Sequence, residues 1–274
     1  MRTRLGSALV AVATALVVWV GIGAFPVSGQ AQATGVPRTK EGKPDFSGVW
    51  QTMTAANWDI QTHAARSGPI VALGAAFSVQ GGMGIVEGND IPYRPEALAK
   101  KKENGDNWLT RDPEVKCFMP GVPRATYMPY PFQIVQGSST ILIGYEFASA
   151  SRTIRMNTKE KSPTETWMGW SNGRWEGDTL AVDVTDLNDQ TWFDRAGNHH
   201  SAALKVVERY TMTGPNMINY EATMDDPKTF TRPWKISLPV YRRMDKNAQL
   251  MEYKCVPFAE ELMYGHLRKR PTAR

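Results

Sequence analysis

Residues 166–184, TWMGWSNGRWEGDTLAVDV, carry the clearest structural pattern in the chain. They include three of its nine tryptophans and two dipeptides that favour tight turns, Asn172-Gly173 and Gly177-Asp178. Asn-Gly suits a two-residue type I′ turn, because both central residues of that turn need a positive φ. After the second turn, Leu180, Val182 and Val184 share one face, which is the two-residue period of a β-strand. The stretch therefore predicts a β-meander, and it contains no motif that identifies a reaction.

Segments with strand periodicity continue on both sides of this stretch, and short groups of turn residues separate them. Short connections favour antiparallel neighbours, because a parallel pair requires a crossover of a dozen or more residues. About ten strands usually close into a barrel or split into two packed sheets. We predict an antiparallel meander that closes into a barrel, with a sandwich as the alternative. The predicted strands are residues 132–136, 140–147, 153–157, 166–171, 174–176, 180–185, 204–211, 217–224, 234–241 and 249–255.

Two short helices are predicted outside these strands. Residues 94–103 and 257–267 each have a proline near the start, acidic residues in the first turn and basic residues near the end. A further short strand is predicted within residues 44–51. We therefore divide the chain into a signal peptide at 1–33, an N-terminal extension packed on the barrel at 34–131, and a barrel with a C-terminal helix at 132–274.

The first 33 residues have the layout of a cleaved secretory signal. Arg2 and Arg4 precede an apolar run, and Ala31-Gln32-Ala33 forms an A-x-A cleavage site. An uncleaved membrane anchor is the alternative, because the apolar run is rather long, but no stop-transfer pattern follows it. No later segment approaches the roughly 18 apolar residues of a membrane-spanning helix. We expect a mature chain in the periplasm or outside the cell, without a stable membrane span.

The charge of the chain gives no argument for nucleic acid as a partner. Cleavage after Ala33 removes two arginines and no acidic residue, so the formal net charge falls from +5 to +3. Nucleic-acid affinity depends on many phosphate contacts from concentrated basic groups. The densest basic clusters, at 100–102 and 268–270, lie on a predicted helix and at the tail, where a solvated surface is expected.

Cys117 and Cys255 are the two cysteines of the chain. An even pair in an oxidising compartment most simply forms one disulfide. Closing a loop of this length contributes about 5 kcal/mol in the chain-entropy model. A catalytic or metal-binding cysteine is the alternative, which the absence of a C-x-x-C pair and of a nearby histidine disfavours.

Glu208 is a candidate for a special role, because it shares the face of its predicted strand with Leu204, Val206 and Tyr210. A carboxylate on a buried face must be paired or must serve a function. One interpretation is a structural carboxylate held by an arginine or by backbone donors. The other is a site carboxylate whose pKa is raised by burial.

The long connection at 186–201 is the second candidate region. Long loops on β scaffolds often carry binding groups. Asp194 with His199 or His200 would suit a general acid and base pair. Alternatively, Trp192 and Phe193 plug one end of the barrel while the polar residues cap turns.

The sequence disfavours most cofactor chemistry. No metal is expected, because adjacent histidines do not lie on one face and no H-x-H or H-x-x-x-H occurs. A metal site formed by His63, one of the paired histidines and Asp194 is the alternative. No G-x-S-x-G, G-x-G-x-x-G or phosphate-binding loop is present. Arg124 and Arg232 lie beside prolines. Each would suit bidentate binding of a ligand carboxylate or pairing with Asp225 or Asp226.

Five phrases resemble a widespread family of secreted bacterial proteins of unassigned function. They are GKPDFSGVW at 42–50, PGVPR at 120–124, GRWEGDTL at 173–180, NDQTW at 188–192 and FTRPW at 230–234. The resemblance covers nearly the whole mature chain and implies no reaction. More loosely, Gly48-Val49-Trp50 matches the G-x-W motif of lipocalin-type barrels.

We therefore predict a secreted, lipocalin-like barrel that binds a small apolar or aromatic molecule without a cofactor. One alternative is a cofactor-independent lyase, isomerase, hydratase or hydrolase that uses Asp194, His199, His200 and Glu208 as acid and base groups. Another is an envelope interaction protein without a cavity. The predicted ligand-binding side chains are those of Arg124, Tyr127, Trp170, Trp192, Tyr210 and Arg232.

Overall fold

The computed structural model describes residues 35–268. Within this range, nine strands hydrogen-bond in chain order into a closed barrel, which confirms the predicted fold class. The short strand near Trp50 belongs to the barrel itself, because it pairs with both the second and the last strand and so closes the sheet. The strands are β1 (Gly48–Thr52), β2 (Phe132–Gln136), β3 (Thr140–Tyr145), β4 (Ser151–Met156), β5 (Trp170–Glu176), β6 (Thr179–Thr185), β7 (Lys205–Gly214), β8 (Met217–Asp225) and β9 (Trp234–Arg242).

One pair departs from the predicted antiparallel order. β4 and β5 are parallel, with Ile154 opposite Ser171 and Met156 opposite Gly173. The connection at 157–169 is long enough to return the chain to the other end of the barrel, as a parallel pair requires. The barrel is therefore mixed, with a single parallel junction among the described strands.

The turn predicted at Asn172-Gly173 is wrong. β5 runs straight through this dipeptide, so the strands predicted at 166–171 and 174–176 form one strand that begins at Trp170. A Cβ atom on Gly173 would lie 2.6 Å from both Ile154 Cγ2 and Met156 Sδ. Glycine thus occurs here because β4 side chains need the space. The second predicted turn is correct, and Gly177 adopts a φ of 62°.

The strand predicted at 249–255 is also wrong. This segment has no regular secondary structure, because β1 already occupies the edge of β9 that a tenth strand would need. The predicted disulfide between Cys117 and Cys255 is present. It links the N-terminal extension to this irregular C-terminal segment and not to a last strand.

Both predicted helices are present, as α1 (Pro95–Asp106) and as α4 (Ala259–Tyr264), which a 3-10 turn extends. Two further one-turn helices, α2 (Trp108–Arg111) and α3 (Arg124–Tyr127), were not predicted. No helix in the described part of the chain is long and apolar enough to cross a membrane. The predicted signal peptide at 1–33 lies outside the described residues.

We call the end of the barrel where β1 ends and β2 begins the sealed end. α3 contacts β1 there, and the connection between β6 and β7 lies at the same end. Phe193 from that connection is buried against Phe230 and Trp234, with ring centroids 6.4 and 5.4 Å away. Its carbonyl accepts a 2.7 Å hydrogen bond from the Tyr127 hydroxyl. These contacts fit the alternative in which aromatic side chains plug the barrel.

At the opposite end, which we call the Phe46 end, the chain before β1 enters the barrel. The Phe46 ring is fully buried, stacks on Trp175 at 5.9 Å and meets Tyr210 edge-on at 6.4 Å. The Gln136 side chain holds this segment through Phe46 N and the Pro44 carbonyl. Phe46 therefore separates the interior from the surface at this end.

The close approach at the parallel junction gives a testable expectation. Gly173→Ala should lower the free energy of unfolding by about 1–3 kcal/mol, because the new methyl group overpacks Ile154 and Met156. Gly214→Ala is the matched control, since a Cβ there meets nothing within 4 Å. Urea denaturation of both variants measures the difference. Equal stabilities would contradict the packing role of Gly173.

Candidate functional site

The centre of the barrel holds a buried ion pair between Arg152 on β4 and Glu208 on β7. Arg152 donates from Nη1 to Glu208 Oε1 at 3.0 Å and from Nη2 to Oε2 at 2.6 Å. The hydroxyls of Tyr210 and Tyr220 also donate to Oε1, at 2.9 and 2.8 Å. Both charged side chains are almost completely buried. Glu208 thus faces inward, as its strand phase predicts, and an arginine holds it.

Sequence reasoning missed Arg152, although the same signal was available. Arg152 alternates with Ile154 and Met156 along β4, and all three are buried. A cation in phase with apolar residues on a buried face must find a partner, as a carboxylate must. The phase rule applied to Glu208 would have identified its partner as well.

Some donors near this ion pair have no hydrogen-bond partner among the described residues. They include Arg152 Nε and the hydroxyls of Tyr145 and Thr126. Burial raises the pKa of Tyr145, and the charge of Arg152 opposes the rise. The interior of the barrel around this ion pair is therefore polar, and side chains extend across it.

Asp194 is buried in the connection between β6 and β7. It accepts hydrogen bonds from Ile60 N at 2.9 Å, from Asn198 N at 3.1 Å and from Asn198 Nδ2 at 2.6 Å. Burial, together with the nearby Asp59 carboxylate, raises the pKa of Asp194 to about 7. Its contacts are those of a carboxylate that caps backbone groups and holds the extension to the loop.

His199 and His200 point into different surroundings. His199 stacks on Tyr93 at 5.8 Å, and burial lowers its pKa to about 4. His200 Nε2 is 2.6 Å from Thr191 Oγ1, its Nδ1 is 2.9 Å from the Ser201 carbonyl, and burial lowers its pKa as well. Neither imidazole is hydrogen-bonded to Asp194 or Glu208 in the described contacts, so the catalytic roles of these four residues stay predictions.

The alternative metal site is not assembled. His63 places its two ring nitrogens 2.9 and 2.8 Å from the carbonyls of Gln61 and Gln80. Across residues 35–268, no group of three or more His, Cys, Asp or Glu side chains is arranged to hold a metal ion.

The arginine partners predicted at 225–226 are wrong. Arg124 donates to both oxygens of Asp112, at 2.7 and 2.8 Å, and to Glu114 Oε2 at 2.7 Å. Arg232 is exposed and pairs with Asp90 at 2.7 Å. Asp226 instead caps the backbone around Ser201. Both arginines find their partners in the N-terminal extension. Short-range sequence patterns do not reveal the path of this extension over the barrel.

The other predicted ligand-binding side chains are also dispersed. Trp170 lies on the outer face of β5 under the Arg155 guanidinium, 3.5 Å from the ring centroid. Trp192 packs with Trp108 in a second hydrophobic cluster outside the barrel core. Tyr127 is at the sealed end, and Tyr210 is in the barrel core. The structure therefore does not bring the six predicted residues together.

A cleft of about 480 Å³ opens at the Phe46 end. The indole of Trp175 forms part of its wall, beside charged side chains of the segment that precedes β1. Lys43 Nζ lies 5.6 Å from the Trp175 ring and donates to the Gly177 carbonyl at 3.2 Å. The lining residues are Thr39, Lys40, Glu41, Lys43, Asp45, Ser47, Gln136, Gly137, Ser138 and Trp175.

Comparison with known protein families and with curated proteins gave no match to this chain.

Removing one partner of the buried ion pair should destabilise the protein more than removing both partners. Glu208→Leu leaves the Arg152 charge buried without a counterion, so we expect a loss of about 3–5 kcal/mol in the free energy of unfolding. Adding Arg152→Met should recover part of this loss. The exposed Lys102→Ala change serves as a control, with an effect below about 1 kcal/mol. A double variant less stable than Glu208→Leu would contradict the pairing.

The raised pKa of Asp194 predicts a pH-dependent loss of stability. The unfolded chain releases this proton near the ordinary Asp pKa of about 4, whereas the folded protein holds it to about 7. The free energy of unfolding therefore falls as pH rises through this window, by at most about 1.4 kcal/mol per pH unit. Relative to the wild type, Asp194→Asn should become more stable between pH 4 and 7 in urea titrations. A stability difference between Asp194→Asn and the wild type that stays constant across this pH range would contradict the raised pKa of Asp194.

Proposed function

We propose that the protein is a secreted β-barrel that binds a small apolar or aromatic molecule in the cleft at the Phe46 end. The observation that carries this proposal is a cleft of about 480 Å³ at the mouth of the barrel, with the Trp175 indole in its wall. Ligand sites usually have volumes of about 300–1,000 Å³, and barrel mouths are among their common positions.

The two ends of the barrel differ in a way that favours this position. At the sealed end, Phe193, Phe230 and Trp234 are buried in mutual contact beneath the extension and the loops. At the Phe46 end, the cleft reaches the surface, and the Phe46 ring contacts both Trp175 and Tyr210. A molecule therefore has access to an aromatic surface at the Phe46 end.

The lining of the cleft suggests the kind of molecule. Trp175 offers an apolar, polarisable surface, whereas Lys40 and Lys43 carry positive charge and Gln136 carries an amide. An aromatic body with a polar or anionic substituent would satisfy both parts of the wall. Glu41 and Asp45 contribute negative charge to the rim, so the cleft also disfavours a molecule with a large negative charge.

The segment that forms one wall is held firmly in place. The Arg38 guanidinium pairs with Asp178 through two hydrogen bonds, one of them 2.9 Å long. Lys43 binds the same turn through the Gly177 carbonyl. A wall held in its binding position loses less conformational entropy when a ligand binds.

The compartment belongs to the same proposal. The disulfide between Cys117 and Cys255 fits an oxidising environment. The resemblance to a family of secreted bacterial proteins, carried by GKPDFSGVW and the other phrases, supports the same location. Lys43, Asp45 and Ser47 of the first phrase line the cleft, and its last three residues begin β1.

An enzyme is the less supported alternative. Asn198 and Tyr93 connect the Asp194 carboxylate to the backbone N of His199, but no described hydrogen bond joins the His199 or His200 imidazole to Asp194 or Glu208. The residues lining the cleft include none of these four. A general acid and base pair needs both groups within reach of one substrate. Binding without chemistry therefore accounts best for the described geometry.

The binding proposal can be tested with 8-anilinonaphthalene-1-sulfonate, a fluorescent aromatic anion. Trp175→Leu should weaken its binding by about tenfold or more, because the ring that faces the probe is lost. Trp167→Leu is the matched control, since Trp167 packs on Phe118 and does not line the cleft. Fluorescence titration of the folded variants gives the affinities.

Mass spectrometry of the protein purified from its native host would identify a bound molecule directly. Equal probe affinity in both tryptophan variants would contradict the position of the site. Conversion of the bound molecule over time would replace the binding proposal with an enzyme.

A further inference from the structure

A second, smaller cavity of about 110 Å³ lies beside the C-terminal segment, away from the cleft. It is bounded by the segment that follows the barrel, by α4 and by the connection after α2. Its volume is below the roughly 300–1,000 Å³ of ordinary ligand pockets, so any occupant is compact. The lining residues are Leu109, Glu114, Val115, Tyr130, Phe147, Arg195, Tyr253, Cys255, Val256, Phe258, Ala259 and Glu260.

The charged side chains around this cavity do not balance. Arg124 and Arg195 supply two positive charges, whereas Asp112, Glu114 and Glu260 supply three carboxyl groups. Both oxygens of Glu114 accept hydrogen bonds from guanidinium groups. The surplus carboxyl group is therefore that of Glu260, at the edge of the network.

Glu260 has one oxygen without a partner. Its Oε1 accepts a long hydrogen bond of 3.3 Å from Arg195 Nη1, whereas its Oε2 is buried and has no partner among the described residues. Burial raises the pKa of Glu260, although the charge of Arg195 opposes the rise. The side chain as a whole remains 27% exposed.

Arg195 does not make the cavity a site for an anion. Its Nε and Nη2 both bind Glu114, at 2.8 and 3.0 Å, and its Nη1 binds Glu260. The guanidinium carbon lies 4.5 Å from the ring centroids of both Trp58 and Trp108. Each nitrogen thus already donates to a carboxylate, while indole rings occupy positions beside the guanidinium group.

Part of the remaining wall of the cavity is aromatic and the rest is mainly aliphatic. Tyr130, Phe147 and Tyr253 form a mutual cluster with ring centroids 5.0 to 5.6 Å apart. Aromatic faces attract cations through their quadrupole, most strongly where water is partly excluded. An unpaired carboxylate oxygen beside aromatic rings is the arrangement that recognises alkylated ammonium groups.

We propose that this cavity binds a compact organic cation, such as an alkylammonium group, between Glu260 and the aromatic cluster. The Glu260 carboxylate supplies the negative charge, and Tyr130, Phe147 and Tyr253 supply the ring surface. The site is independent of the cleft at the Phe46 end, with which it shares no lining residue.

Calorimetric titration of the purified protein with tetramethylammonium chloride tests the proposal, with sodium chloride of equal concentration in the reference. We expect saturable binding that Glu260→Gln weakens by about tenfold or more. Glu252→Gln is the matched control, because this carboxylate lies on the same segment, is 79% exposed and pairs only with Lys254 among the described residues. Its affinity should equal that of the wild type.

Tyr253→Leu gives a second, independent measurement, since it removes a ring and leaves every carboxylate in place. It should weaken tetramethylammonium binding severalfold and leave binding of the naphthalene probe at the Phe46 end unchanged. Absence of saturable binding to the folded wild type would overturn the proposal. Equal affinities in Glu260→Gln and Glu252→Gln, or preferential binding of sodium acetate, would overturn it as well.

Discussion

The structure depends on the pairing of β1 with β9. Three residue pairs, from Trp50 opposite Arg242 to Thr52 opposite Val240, join the two ends of the sheet and leave no open edge between them. A closed sheet satisfies the backbone groups that an edge strand would expose. Closure also excludes a tenth strand, so the chain after β9 leaves the barrel, and the disulfide attaches it to the N-terminal extension. The small acidic and aromatic cavity forms where that departing segment returns.

Buried charge is placed in two separate networks with different consequences. In the barrel core, the Arg152 and Glu208 charges are matched, and two tyrosine hydroxyls add hydrogen bonds, so the network is internally complete around the carboxylate. The second network includes Glu114 of the extension. Burial alone would raise the pKa of Glu114, but the charges of Arg195 and Arg124 lower it to about 2. The carboxyl groups there outnumber the guanidinium groups, which leaves Glu260 incompletely paired. A matched network specifies the packing of the barrel, whereas an unmatched one can select a ligand by charge.

Sequence patterns predicted the features that depend on local periodicity and missed those that depend on tertiary contact. The inward position of Glu208 follows from its two-residue phase, and the same rule would have located Arg152. Asn172-Gly173 was misinterpreted because glycine suits both a positive φ and a close approach, and the neighbouring strand β4 decides between them. The partner of Arg232 and the balance of charge around Glu260 arise from segments far apart in the chain. Local sequence patterns do not predict contacts between such distant segments.

The single parallel junction divides the barrel into two antiparallel meanders, β1–β4 and β5–β9. They meet along two seams, each of three residue pairs, at β4 with β5 and at β1 with β9. Most paired strands within each meander follow one another closely in the chain, although residues 53–131 separate β1 from β2. Both seams join strands across long loops or opposite ends of the barrel. The Arg152 and Glu208 pair links the first meander to the second through the interior. It therefore acts as an internal cross-brace, which opposes separation of the two halves where backbone pairing is sparse.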